Sequence, residues 1–67
     1  MKVLKVIEVL SSSNKSWEDA TKNAVAEASK TLKGIKSVYV QDMSTTVKDG
    51  KVDEFRVNVK ITFEVNS

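Results

Sequence analysis

The sequence predicts an α+β domain with the element order β-α-β-β, and three observations carry that prediction. Residues 55–65 alternate apolar and polar side chains over eleven positions without a slip. Residues 17–32 carry apolar side chains at spacings of three and four, the period of one helix face. Between these segments, Asp49-Gly50 supplies the turn signal of a two-residue hairpin.

The first strand is read over residues 3–10, which are rich in β-branched side chains. Successive side chains of a strand point to opposite faces, so Val3, Ile7 and Val9 share one face and Leu4, Val6 and Leu10 the other. Apolar residues on both faces of so small a chain imply a second layer: the helix plus another subunit, or two parts of one sheet. Ser11-Ser12-Ser13-Asn14-Lys15 then reads as a polar connector.

The helix begins at Ser16-Trp17-Glu18-Asp19, where Ser16 can cap the free amide of Asp19 and the two carboxylates complement the positive end of the helix dipole. Its stripe is Trp17, Ala20, Ala24, Ala28 and Leu32. Mostly alanine, it can lie close against a sheet, with Trp17 and Leu32 filling the two ends. Gly34 is read as the left-handed cap that stops the helix.

A second strand follows over residues 35–47, centred on Val38, Tyr39 and Val40, and the turn at 48–51 folds it back antiparallel on residues 52–65. In that last strand Phe55, Val57, Val59, Ile61, Phe63 and Val65 form the apolar face. A slip of one residue would put all of them in water, so the register is strongly specified. With no internal repeat, low-complexity tract or linker, residues 1–67 read as a single domain.

Sixty-seven residues bury a modest fraction of their surface, and such a domain is marginal alone. The chain has no Cys and no His, so disulfides and Cys/His zinc sites are unavailable as staples; oligomerisation is the remaining device. Eleven Lys and Arg face nine Asp and Glu, interspersed, with four aromatics in all. That is a solvated mixed-charge surface rather than a nucleic-acid footprint, which clusters basic residues and stacks bases on aromatics. Lys5 and Glu8 interrupt the longest apolar stretch, far short of the ~20 residues that span a bilayer, and no signal-peptide cleavage pattern follows. The expectation is a cytoplasmic protein with no nucleic-acid or membrane partner; the lack of Cys fits a reducing compartment.

Catalysis finds little material. Without His or Cys the common nucleophile-base dyads cannot be built. Glu18 and Asp19 are explained by their place in the first helical turn, and both glycines have cap or turn roles, leaving no Gly-rich phosphate loop. Gln41-Asp42, and Asp49 with Asp53-Glu54, are candidate calcium donors without the spacing of an EF-hand loop. Trp17, on the apolar stripe, reads as core or interface packing. Arg56 opens the polar face of the last strand, where it can pair with a cross-strand carboxylate or clamp an anionic ligand.

Lys5-Val6-Ile7-Glu8-Val9, the serine-rich connector, Ser16-Trp17-Glu18-Asp19-Ala20 with Asn23-Ala24-Val25, and the final strand, taken together in order and spacing, resemble the dodecin family over nearly the whole chain. The resemblance implies a three-stranded antiparallel sheet curled around one helix, and a hollow homododecamer built of trimers. It also implies non-catalytic storage of flavin, riboflavin or FMN, between subunits. Residue by residue, Ser37 stands where flavin-binding dodecins carry a ring-stacking Trp, and Arg56 where they carry a Gln that bonds the ring edge. Asp42 matches an acidic position near the pocket. The Ser-Trp-Glu helix start, Gln41-Asp42-Met43 and Arg56 instead resemble the calcium dodecin branch. The expectation is therefore a small-ligand or ion storage shell, calcium dodecin-like, with weak or no flavin binding. Ser37, Asp42 and Arg56 are its candidate site and no metal ligands are assigned. A flavin-storing dodecin and a structural protein-interaction module stay open as alternatives.

Overall fold

The computed structural model describes residues 2–65. The elements are β1 (Val3–Ser13), α1 (Trp17–Ala28), β2 (Ile35–Lys48) and β3 (Lys51–Val65). They form one antiparallel three-stranded sheet in the order β1-β3-β2, with the helix packed on one face. The strand with the unbroken alternation is thus the central one. Paired on both edges, it sets the register of both neighbours.

Side chains opposite one another in an antiparallel ladder share a face, so the register sorts the sheet. Facing the helix are Val57, Val59 and Ile61 of β3, with Ile7 and Val9 of β1 and Val38 and Val40 of β2. Val57, Val59 and Ile61 close over Ala20 and Ala24, and these five are the only fully buried apolar residues among those described. The alanines give the helix its close approach, as the stripe predicts.

The hairpin turn has positive φ at both Asp49 (53°) and Gly50 (75°), the signature of a type I′ turn that matches strand twist. Ser16 caps the helix as expected, its hydroxyl accepting from the Asp19 amide at 2.9 Å.

The largest departures from the sequence reading concern the end of β1, the end of α1 and the role of Gly34. Ser11–Ser13 belongs to β1 rather than to a connector, because these serines lie opposite Val57, Arg56 and Phe55 and continue the ladder. Ser13 is buried, and its hydroxyl donates to Asp19 Oδ2 at 2.6 Å while accepting from the Lys15 amide at 2.9 Å. The helix stops at Ala28, one turn early, where the Lys30 and Thr31 amides switch to carbonyls three residues back. Gly34 (φ 77°) is therefore not the helix cap but the entry to β2. Its carbonyl accepts from the Glu64 amide at 2.9 Å, and an added Cβ would stand 3.2 Å from the Glu64 carbonyl oxygen.

Trp17 packs as read. Its ring meets Phe55 edge-on with centroids 5.1 Å apart, and its indole N–H donates to the Ser44 carbonyl at 2.9 Å. The helix N-terminus is thereby pinned to the hairpin of β2 and β3.

Candidate functional site

The face of the sheet turned away from the helix holds all three candidate residues. On it, Ser12, Arg56 and Ser44 form one cross-strand row; Leu10, Asn58 and Asp42 the next; then Glu8, Lys60 and Tyr39; then Val6, Thr62 and Ser37. Simple alternation from Ile35 and Val40 would have turned Ser37 and Asp42 toward the helix. Register shifts between Ile35 and Ser37, and between Val40 and Asp42, turn both outward instead. Re-aiming a side chain is what a β-bulge does.

Asp42 and Arg56 are diagonal neighbours, about 7–8 Å apart at the backbone. Ser37 lies opposite Thr62, six residues along β3 from Arg56, or about 20 Å at the rise of a strand. One copy of the chain therefore brings Asp42 and Arg56 together and leaves Ser37 apart from them.

Arg56 is exposed and joins no ion pair among the described residues. With Leu10, Ser11 and Ser12 it lines a shallow hollow of about 110 Å³ on the β1 side. Between Leu10 and Asp42 the side-chain oxygen of Asn58 is buried without a hydrogen-bond partner. Sequence reasoning missed Leu10, Ser12 and Asn58. Only the pairing of β1 with β3, a contact distant in sequence, sets the first two beside Arg56. An amide inside a long central strand was a weak signal for the third, since Asn is depleted in strands.

The residues can be tested against the ligands that the resemblance implies. Calcium takes six to eight oxygens. No three acidic side chains converge among the described residues; Asp49, Asp53 and Glu54 gather no such group at the hairpin, and Asp42 has one amide oxygen opposite. A calcium site here would need further oxygens, from backbone carbonyls, water or another copy of the chain. A flavin ring needs an aromatic face, and Ser37, exposed, offers none. Tyr39, 67% exposed on the same face, is its nearest aromatic alternative in β2.

No helix of the described residues is long and apolar enough to cross a membrane.

Comparison with known proteins gives a consistent result. The family model for dodecin matches residues 3–66. A mutant of the Thermus thermophilus dodecin is 28% identical, with all of both chains covered and a TM-score of 0.95. The dodecin of Streptomyces coelicolor is 29% identical, covering 98% of this chain and 94% of that one, with a TM-score of 0.94. The calcium dodecin of Mycobacterium tuberculosis, described as a calcium-chelating antigen with a novel calcium-binding site, is 29% identical over 96% of this chain and 91% of that one. Its TM-score is 0.84. A search of curated proteins found no match.

Proposed function

The chain belongs to the dodecin family, and on that premise we propose that it is a non-catalytic protein that binds and stores a small ligand or ion in a hollow homododecameric shell. In this reading it is calcium dodecin-like, holds flavin weakly or not at all, and works in the cytoplasm. Ser37, Asp42 and Arg56 are its ligand-binding residues. The supporting observation is the exposed Ser37 on the outer face, where flavin-binding relatives of the family place a stacking Trp. Losing one aromatic platform removes about 1–3 kcal/mol of stacking by analogy with base–aromatic contacts. Backbone similarity does not choose between branches: the calcium dodecin matches at 29% identity against 28% for the Thermus protein, but at a lower TM-score, 0.84 against 0.95.

The flavin-storing reading keeps one specific support. Tyr39 presents an exposed ring on the same face, two residues from Ser37, next to Lys60.

Calorimetry on the purified protein decides between them. Saturable calcium binding, with added riboflavin remaining fully fluorescent, is the expected result. Tight riboflavin binding with quenched fluorescence would overturn the calcium dodecin-like reading in favour of flavin storage. A solution mass of one or two chains would overturn both and favour a protein-interaction module.

A further inference from the structure

The hollow beside Arg56 has a composition that selects its ligand. We infer that Arg56 and Ser12 together hold a small oxyanion, a phosphate or carboxylate group, in the hollow that they line with Leu10 and Ser11. This deepens the storage reading and rests on it for the use of the outer face.

Arg56 is flanked across the sheet by two hydroxyl residues, Ser12 on β1 and Ser44 on β2, and by no acid in its row. A guanidinium presents five N–H donors in a planar fork that matches carboxylate and phosphate oxygens, and a serine hydroxyl adds a further donor. Two carboxylates lie nearby, Asp42 a row away and Glu54 two residues back on the same face of β3, and neither is paired with it. Arg56 thus keeps its donors for something outside the chain. Lys60 is the contrast on the same face: its β1 neighbour is Glu8, which already supplies negative charge. No acidic side chain lines the hollow. At about 110 Å³ it exceeds the space one water needs, and Leu10, 70% exposed, gives it an apolar wall for the rest of a ligand.

The test is calorimetric titration of the folded protein at low ionic strength with inorganic phosphate and, separately, with acetate, alongside a solution mass of each sample. Saturable binding of at least one anion is expected, and which one binds identifies the group. Arg56→Gln should weaken it at least about tenfold, as expected for loss of a charge-assisted partner, while Arg56→Lys retains part and Lys60→Gln stays within about twofold. Equal weakening by Arg56→Gln and Lys60→Gln would reduce the effect to diffuse charge and overturn the inference. So would a dodecamer that binds neither anion, leaving the storage reading intact. A monomer that binds phosphate through Arg56 would uphold the inference and overturn the shell.

Discussion

Ser37 and Arg56 sit about 20 Å apart on one sheet face, in the rows of Thr62 and Ser44. A ligand that uses both must be gripped by more than one copy of the chain or must be long. The flavin pocket implied by the family resemblance can be tested by restoring its two lost residues together. In the assembled protein, Ser37→Trp with Arg56→Gln should raise riboflavin affinity by roughly one to two orders of magnitude, the equivalent of the ~1–3 kcal/mol of a stacking face. Quenching of riboflavin fluorescence reads this directly; a double variant that leaves the flavin as bright as wild type does would show that other residues set the ligand. Both positions are singled out by resemblance alone. That they share a face was not legible in the sequence, because Ser37 and Asp42 owe their outward aim to bulges that no residue in Ile35–Lys48 announces.

At the scale of elements, legibility followed the strength of the periodic signal. Lys51–Val65 has a period of two with no exception over residues 55–65, and it became the central strand with Val57, Val59 and Ile61 of its apolar face buried. Asp49-Gly50 became the turn because only a residue tolerant of positive φ fits there. The boundaries of β1 and α1 were misread for local reasons. Three serines look like a loop until Phe55 and Val57 are placed opposite them, and a glycine after a helical pattern looks like a cap until Glu64 is placed against it. Each error concerns a partner more than twenty residues away in sequence. The alanine stripe, in contrast, carried its consequence locally, and it makes a prediction. Ala24 is 2% exposed against Val57, Val59 and Ile61, so Ala24→Leu must push the helix off the sheet and should cost about 1–3 kcal/mol. Ala26→Leu, on the exposed side of the same helix, should change the denaturation midpoint little. Equal midpoints for the two variants would mean that the helix does not seat on this face.

The single chain exposes more than a chain of its mass should. Its accessible surface is 5087 Å², against about 4,200 Å² expected of a folded monomer of 7.4 kDa. Its radius of gyration is 13.7 Å, against about 11 Å for a compact chain of this length, and its extents are 51 × 19 × 13 Å. Only five apolar residues among those described are buried, while Val3, Leu4, Val6 and Leu10 of the edge strand β1 are each more than half exposed. An apolar edge strand of this kind aggregates unless it is covered. Two substitutions separate folding from assembly. Val59, fully buried beneath the helix, becomes a buried unpaired carboxylate in Val59→Asp, which should unfold the chain outright. Val6, 56% exposed on the opposite face, should accept Val6→Glu without loss of the sheet in the isolated chain, yet place an uncompensated charge where copies would meet. The expected outcome for Val6→Glu is a folded species of low mass, with a strand-rich circular dichroism spectrum and a thermal midpoint well below that of wild type. A Val6→Glu protein that keeps the wild-type mass and stability would show that copies do not meet at this part of β1. A Val59→Asp protein that still elutes as a large, folded oligomer would place the core on the other face.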